Sequence, residues 1–226
     1  MIDGKTILAL IPARGGSRRL PGKNLRDLCG KPMIHYAIDE AKKSQYIDKI
    51  VVSTEDQAIM DACANKGVDI LTRPMELAGD KSSVYDVIFH ACAQYEPFDY
   101  VCLLQVTSPL RETEDIDGCI EHCVANHAPS CITVTLGRPD ANGSVYFAWT
   151  SWLRETRLFD SGRVVVYPTP PERSVDVDRL EDFEKAESLM RSRLSGRSAV
   201  DLRSSTPPSW RVPRVNTSFD PFLMGR

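Results

Sequence analysis

The sequence lacks any apolar run approaching the roughly 18 residues that a membrane-spanning helix needs, which argues against an integral membrane protein. Residues 1–5 lead into a strand-like segment without a signal-peptide pattern. The composition also lacks extremes, with 42% hydrophobic and 26% charged residues, so a disordered chain is not expected. We therefore expect a globular protein that acts in the cytoplasm and has no membrane partner.

Cysteine usage gives no sign of a disulfide framework. The seven cysteines are odd in number and lie in apolar segments of a 226-residue chain that can bury a core without cross-links. Reduced thiols in a cytoplasm are the simplest interpretation. A zinc site is conceivable, but four-residue spacing also lines one helix face, and the spacing favours core packing. The residues concerned are Cys119, Cys123, His127 and Cys131.

Charge is unevenly distributed along the chain, whose formal net charge is -3. Residues 191–226 hold seven Arg, two Asp and no Lys or Glu, which leaves the preceding 190 residues mildly acidic. An acidic body does not fit a surface that coats nucleic acid, so no nucleic-acid partner is expected. We predict a domain over residues 1–190 and a basic, Ser- and Pro-rich, mostly irregular tail over 191–226. A solvated terminus is favoured over contact with nucleic acid or anionic lipid.

Strand-like and helix-like segments alternate along the body. Short continuous apolar runs predict buried strands, and apolar residues at helical spacing predict amphipathic helices. This alternation implies an α/β fold with a mostly parallel sheet covered on both faces, and a ligand at the carboxyl ends of the strands. The predicted strands are 6–12, 49–53, 68–71, 100–105, 131–136, 143–148 and 163–167; the predicted helices are 33–43, 56–65, 84–94, 115–126 and 179–190.

The strongest chemical signal follows the first strand, in residues 12–24 (PARGGSRRLPGKN). Two adjacent glycines allow the backbone to approach a ligand closely, and four cations within ten residues supply charge for several phosphates. No Gly-Lys-Ser/Thr triplet opens a helix, so this is not a Walker loop, and the Rossmann dinucleotide pattern is absent as well. A solvated basic loop is the alternative, but so much like charge needs an anion. The segment therefore predicts a phosphate-binding loop.

Three further stretches accompany residues 11–24: LTRP at 71–74 followed by Leu77 and Ala78, LLQVTSPLR at 103–111, and SVDVD at 174–178. Together the four resemble the signature motifs of acylneuraminate cytidylyltransferases, the CMP-sialic acid synthetases, in the family's order. The resemblance covers Thr6 to about Met190. Gly16-Ser17 and Asn24 favour the neuraminate branch over the related synthetases that act on octulosonate.

The resemblance implies a Rossmann-like three-layer nucleotidyltransferase fold and an enzyme that transfers CMP from CTP to an acidic sugar, releasing pyrophosphate with Mg²⁺. The acceptor implied is sialic acid or a related nonulosonic acid. The implied catalytic residues are Arg14 and Lys23, which stabilise charge on the triphosphate, and Asp176 and Asp178, which also hold the metal. The implied substrate-binding residues are Ala13, Gly15, Gly16, Ser17 and Asn24 in the loop, Arg73 and Ser82 at the cytidine end, and Gln105, Thr107, Ser108, Arg111 and Asn142.

Elementary chemistry agrees with these roles. Attack on an α-phosphorus needs positioning and cancelled negative charge more than covalent help from the protein. Mg²⁺ prefers one or two carboxylates together with phosphate oxygens, and alternate positions of an extended segment place Asp176 and Asp178 on the same side. An Asp-x-Asp pair before a helix can also be a simple N-cap, an alternative that the pair alone does not exclude.

The sequence departs from the family at residues 137–142. Typical members insert there a few tens of residues that form a dimerisation arm and supply basic groups to the substrate, and this chain has only six residues. We therefore expect a monomer, or a homodimer through another surface. The candidate surfaces are the aromatic stretch with Trp149, Trp152, Leu153 and Phe159, and the tail with Trp210.

Two other functions stay open at this point. Without the arm, the enzyme could cytidylylate a smaller acid, such as a phosphonate in a specialised pathway. Alternatively, the chain could be a non-catalytic nucleotide-binding protein that binds CTP and releases no pyrophosphate. The sequence does not identify the acceptor.

Overall fold

The computed structural model describes residues 1–79, 82–95 and 97–196. The predictions that concern the basic tail beyond residue 196, including Trp210, lie outside the described residues. Within these ranges the strands are β1 Ile7–Pro12, β2 Asp27–Leu28, β3 Lys31–Pro32, β4 Lys49–Thr54, β5 Asp69–Thr72, β6 Tyr100–Leu104, β7 Ser130–Thr135, β8 Ala141–Trp149 and β9 Val164–Thr169. The helices are α1 Met33–Lys43, α2 Gln57–Cys63, α3 Val84–Gln94, α4 Thr113–Ala125, α5 Thr150–Thr156 and α6 Leu180–Leu194.

Seven of these strands form one sheet in the order β5-β4-β1-β6-β8-β7-β9. β1 pairs in parallel with β4 and β6, β5 is parallel to β4, and β9 is parallel to β7. β8 is antiparallel to both β6 and β7. The predicted α/β architecture with a mostly parallel central sheet is confirmed.

Two apolar clusters cover the two faces of the sheet. Along β1, Ile7, Ala9 and Ile11 pack in one cluster, and Leu8 and Leu10 pack in the other. In a strand that is buried on both faces, the side chains on either side are apolar. Its sequence is therefore a continuous apolar run, without the alternation of apolar and polar residues seen in half-exposed strands. The first cluster contains side chains of α1, α4 and α6, and the second contains side chains of α3 and α5. The result is the predicted three-layer arrangement.

Two of the predicted helices match the structure residue for residue, α1 and α3. The sequence interpretation missed α5, a helix of seven residues that is too short to show a periodic pattern. It also ended the last helix too early. α6 runs to Leu194, and Arg191 and Arg193 lie in its last turn. The helix therefore extends four residues into the segment 191–226 that is predicted to be mostly irregular, and Arg191 and Arg193 pair there with Glu187 and Glu112.

The cysteines agree with the expectation of reduced thiols, since all seven are free. The described residues contain no group of three or more His, Cys, Asp or Glu side chains that could bind a metal ion. Cys119, Cys123 and Cys131, which the zinc hypothesis invoked, are buried in the core. Across the same ranges, no helix is both long enough and apolar enough to cross a membrane.

Residues 136–140 connect β7 to β8 as a short turn, so the family's arm is missing here. The Arg138 amide donates to the Thr135 carbonyl at 2.8 Å, which closes the turn. The aromatic stretch proposed as a substitute interface is largely core. Leu153 and Phe159 are buried, and Trp149 packs its ring against Tyr100. Leu153 and Phe159 are therefore already covered within the chain, whereas Trp149 and Trp152 are half-buried.

A buried polar network lies where β7 and β9 end and β8 begins. The Asn142 amide nitrogen donates to the hydroxyls of Thr169 at 2.7 Å and Ser174 at 3.2 Å. Its oxygen accepts from the Thr133 hydroxyl at 2.7 Å and from the Ser144 backbone N–H at 3.1 Å. One side chain thus satisfies four neighbours and ties the end of β9 to β7 and β8.

Replacing Asn142 with alanine should lower the free energy of unfolding by about 2 kcal/mol or more, because buried partners lose their hydrogen bonds. Urea unfolding of Asn142→Ala and of Asn65→Ala, a change at an exposed position, measures the difference. Equal stability of the two variants would contradict the structural role given to Asn142.

Candidate active site

A cleft of about 570 Å³ opens at the carboxyl edge of the sheet. Loops that follow β1, β5 and β6 form its walls, together with the segment between β9 and α6. Ligands of open α/β sheets bind at this edge. The described lining residues are Pro12, Arg14, Ser17, Arg18, Arg19, Lys23, Asn24, Arg73, Leu77, Gly79, Ser82, Val84, Val87, Gln105, Val106, Thr107 and Asp178.

Internal hydrogen bonds hold the predicted phosphate loop, residues 12–24, in shape. Asn24 is buried and donates from its amide to the Arg14 carbonyl at 2.8 Å. The Gly15 amide donates to a carboxylate oxygen of Glu55 at 2.7 Å. The loop is therefore ordered by the protein itself. Sequence reasoning missed Glu55, which follows β4 and has no motif of its own.

The two loop glycines differ in their surroundings. A Cβ on Gly15 would lie 2.2 Å from Oδ2 of Asp56, whose side chain caps the first turn of α2. A Cβ on Gly16 would meet nothing within 4 Å. Gly15 is therefore needed for close packing under the loop, whereas Gly16 lies at the open face. Both were predicted to approach substrate, and the Gly15 amide is engaged by Glu55 instead.

An ion pair joins the loop to the far end of the chain. The Lys23 ammonium donates to the Val177 carbonyl at 2.8 Å and to Oδ1 of Asp178 at 3.0 Å. Arg19 lies 2.8 Å from the other carboxylate oxygen, Oδ2. Only 11% of the Lys23 side chain is exposed, so its position is closely defined. These contacts place a carboxylate beside the cations that were predicted to hold a triphosphate.

Asp176 and Asp178 flank a residue that points into the core. Val177 is fully buried, and its amide donates to the Thr107 carbonyl at 2.7 Å. Loss of water around the Asp176 carboxyl raises its pKa, which a hydrogen bond from Thr107 opposes and the negative charge of Asp178 reinforces. Two neighbouring carboxylates on one extended segment fit the donor set of Mg²⁺, which takes one or two carboxylates and completes its shell with phosphate oxygens and water.

Positive charge dominates the cleft. Of its described lining residues, five are cations and one is a carboxylate. Arg73 is buried at the end opposite Asp178, where it donates to the carbonyls of Ser53 at 2.5 Å and Leu77 at 3.4 Å. Burial lowers the pKa of Arg73, and the Glu55 carboxylate opposes this shift. Ser82 lies at the same end, with its hydroxyl donating to the Glu76 carbonyl at 2.7 Å. Leu77, Val84 and Val87 give this end an apolar wall.

Three predicted substrate contacts lie beneath the cleft instead of facing it. Ser108 and Arg111 are each 1% exposed, and Asn142 belongs to the buried network. Arg111 donates to the carbonyls of Gln105 at 3.2 Å and Ser144 at 2.5 Å. Burial lowers the pKa of Arg111 to about 10. In this structure Arg111 and Asn142 lie beneath the cleft, where Arg111 donates to two backbone carbonyls and Asn142 bonds four neighbours. The Nε and Nη2 atoms of Arg111 and the Ser108 hydroxyl are buried without a hydrogen-bond partner among the described residues. That these three residues contact substrate stays a prediction.

The structure therefore brings together most of the predicted site. The predicted residues that line the cleft are Arg14, Ser17, Lys23, Asn24, Arg73, Ser82, Gln105, Thr107 and Asp178. Asp176 adjoins them through Thr107. Ala13 is a buried residue at the start of the loop. Arg18 and Arg19 line the cleft as well, although the sequence assigned them only to the cationic loop.

Comparison with known proteins identifies the family of this chain. A family model described as cytidylyltransferase matches residues 8–193, from the first strand to the last helix. The chain belongs to the cytidylyltransferase family. The resemblance carried by the four motifs is thereby confirmed at the level of the family.

Curated relatives support the same branch. The CMP-N,N'-diacetyllegionaminic acid synthase of Legionella pneumophila is 34% identical over 227 residues, covering 81% of this chain and 96% of that protein. The N-acylneuraminate cytidylyltransferase of Streptococcus agalactiae serotype V is 32% identical over 212 residues, covering 78% of this chain. The chain spans about half, 51%, of the length of that Streptococcus protein.

Solved structures share the fold at low identity. CMP:2-keto-3-deoxy-manno-octonic acid synthetase complexed with CTP has a TM-score of 0.65 and 20% identity, covering 83% of this chain and 99% of that one. A Mycobacterium tuberculosis protein solved as a manganese complex has a TM-score of 0.61 and 17% identity, covering 81% and 98%. These neighbours show that the chain shares their fold.

Gly15→Ala should lower the free energy of unfolding by about 1–3 kcal/mol, because its Cβ overlaps the Asp56 carboxylate and the loop must shift. Gly16→Ala is the matched control, since the space around its Cβ is open. Urea unfolding of both variants provides the comparison. A Gly15→Ala protein as stable as Gly16→Ala would contradict the packing described here.

Proposed function

We propose that this chain transfers the CMP group of CTP to an acidic sugar of the nonulosonic acid class, with release of pyrophosphate. The oxygen of an acceptor hydroxyl bonds to the α-phosphorus, and the bond from that phosphorus to the oxygen bridging to the β-phosphorus breaks. Pyrophosphate leaves with that bridging oxygen, and the acceptor proton passes to solvent.

One observation carries the proposal. The cationic loop contacts the segment that holds Asp176 and Asp178, through the ion pair between Lys23 and Asp178 at the cleft. A triphosphate needs several cations held in fixed positions, because phosphoryl chemistry depends on positioning and charge stabilisation. In a non-catalytic nucleotide binder the carboxylates would serve only as counter-charges to the cations, so pyrophosphate release distinguishes the two functions. The names of the relatives, which describe cytidylyltransferases for nonulosonic acids, support the acceptor class.

The residues of the loop take distinct roles in this proposal. Arg14 and Lys23 stabilise charge on the phosphates as pyrophosphate leaves, and Ser17 and the Gly16 backbone cradle the triphosphate. Arg73 and Ser82 hold the cytidine end, where Leu77 and Val87 offer an apolar surface to the base. Gln105 and Thr107 follow the central strand β6 and orient the acceptor beside the α-phosphate.

Asp176 and Asp178 would hold Mg²⁺, which when bound neutralises phosphate charge and orients the phosphate oxygens. In the structure Lys23 and Arg19 already hold Asp178 on the cleft side of its segment. The Val177 amide, which donates to the Thr107 carbonyl at 2.7 Å, holds the residue between the two aspartates. The protein's contribution is therefore to keep two carboxylates at the edge of the triphosphate site before nucleotide binds.

The acceptor end of the cleft differs from that of family members that carry an arm. The turn of residues 136–140 leaves this end without arm residues from the same chain. This openness favours a second candidate function, cytidylyl transfer to a smaller acid such as a phosphonate. The short turn also favours a monomer, or a homodimer through a surface other than the arm. The free thiols favour action in the cytoplasm.

Pyrophosphate release tests the proposal when measured with each of the four ribonucleoside triphosphates and a panel of acids. The panel contains N-acetylneuraminic, legionaminic, pseudaminic and octulosonic acids and a small phosphonate. We expect release only with CTP together with a nonulosonic acid. Release with the phosphonate alone would favour the second candidate. CTP binding without release for any acid would identify a non-catalytic binder and overturn the proposal.

Asp176→Asn and Asp178→Asn should each lower turnover by about 10²-fold or more, because loss of a metal ligand removes several kcal/mol of transition-state stabilisation. Circular dichroism should show an unchanged fold, since neither carboxylate belongs to the core. Asp160→Asn, at an exposed position, is the control and should keep full activity. Near-normal turnover in both variants would remove the metal role of the pair.

A further inference from the structure

The carboxylates proposed to hold metal lie on a segment with little regular structure. Between β9 and α6 the chain makes one 3-10 turn, Pro171–Arg173, and then runs extended to the start of the helix. A segment of this kind owes its shape to contacts with the rest of the protein. Because Mg²⁺ requires near-octahedral oxygen ligands at about 2.0–2.1 Å, small displacements of Asp176 and Asp178 would spoil a site built on them.

One of these contacts is an ion cluster at the amino-terminal end of α4. Arg173 lies 3.0 Å from a carboxylate oxygen of Asp115 and 3.2 Å from one of Glu114, and it also donates to Glu112. Asp115 is 1% exposed, and 19% of the Arg173 side chain is exposed. A guanidinium group holds planar carboxylates in a defined orientation, which a flexible ammonium does not. Arg173 therefore fixes the start of the segment against α4.

A second arginine fixes the far end of the following helix to the same place. Arg193, in the last turn of α6, donates to the other carboxylate oxygen of Glu112 at 2.7 Å and to the Leu110 carbonyl at 3.3 Å. Arg173 and Arg193 thus flank the two aspartates along the chain and meet at one glutamate. Between them, the Val177 amide donates to the Thr107 carbonyl. The segment is held at its start by Arg173 and in its middle by Val177, and Arg193 holds the far end of the helix that follows it.

Arg173 does not belong to the described lining of the cleft, so its effect on the site passes through the segment. We propose that Arg173 is a positioning residue for the divalent cation: its ion pairs with Asp115 and Glu112 set the positions of Asp176 and Asp178. This inference rests on the metal role given to the two aspartates under the proposed function. Residues that orient metal ligands from behind typically change metal affinity by 10–100-fold when mutated.

The test is the gain in CTP affinity that Mn²⁺ provides. Calorimetry gives the CTP dissociation constant of each variant with Mn²⁺ and with EDTA, and the ratio of the two constants reports metal binding at the nucleotide site without any turnover. Arg173→Gln should leave the EDTA value near that of the wild type, since the phosphate loop is untouched. The ratio should fall by about tenfold or more. Arg173→Lys, which keeps the charge, should recover part of the ratio.

Two further variants separate positioning from a general loss of structure. Glu112→Gln weakens both arginine contacts and keeps the buried Arg173–Asp115 pair, so it should lower the ratio in the same direction. Arg191→Gln removes an exposed ion pair with Glu187 on α6 and should leave the ratio unchanged. If Arg173→Gln lowers the CTP affinity in EDTA as much as it lowers the CTP affinity in Mn²⁺, the role of Arg173 is merely structural. That result would overturn the proposal.

The remaining outcomes are also decisive. A ratio in Arg173→Gln and Glu112→Gln equal to that of the wild type would overturn the positioning role. A wild-type protein that binds CTP equally with Mn²⁺ and EDTA would overturn it too, together with the metal assignment. The proposed cytidylyl transfer fails on a separate measurement, absence of pyrophosphate release from CTP, so the two failures are distinguishable.

Discussion

Parallel strand direction is the constraint on which the site depends. β1, β4, β5 and β6 run the same way, and because β8 is antiparallel to both β6 and β7, β7 and β9 run that way as well. Every loop that follows one of these strands therefore reaches the same edge of the sheet. The contact from Lys23 to the Val177 carbonyl joins residues 154 positions apart along the chain. No local preference could bring them together, and the sheet does so by direction alone.

The cationic side chains of the cleft lie close together even without a bound anion. A few carboxylates of the protein reduce the repulsion between them. Glu55 accepts from the Gly15 amide under the loop and lies 3.8 Å from the buried Arg73. Asp178 pairs with both Lys23 and Arg19. Such internal counter-charges keep the cationic groups in place for an incoming anion. The site is therefore arranged in advance, which is the condition under which charge stabilisation is most effective.

Polar networks beneath the cleft carry the functional residues. Arg111 holds the turn after β6 by donating to the Gln105 carbonyl, and Asn142 ties β9 to its neighbours. Arg173 ties the next segment to α4. These side chains do not belong to the described lining of the cleft but determine where the cleft-facing groups lie. At the proposed acceptor end, by contrast, few groups of this chain would limit the size of the acceptor, because residues 136–140 form only a short turn.

The sequence alone determined what depends on neighbours along the chain. The helical spacing predicted α1 and α3 residue for residue, the continuous apolar runs predicted buried strands, and the residue types of the loop after β1 predicted a phosphate site. The four motifs predicted the family. Each of these signals lies within about a dozen consecutive residues, where periodicity, composition and glycine placement can be read directly.

Only the tertiary structure decided which polar residues face the cleft and which lie beneath it. Ser108, Arg111 and Asn142 stand in or near the motifs and are buried, whereas Glu55 and Arg173 carried no signal and support the site. The antiparallel direction of β8 and the extension of α6 to Leu194 were equally hidden. The physical reason is common to all of them: a polar side chain or a strand takes its place from partners far away in sequence, and those partners meet only when the sheet assembles.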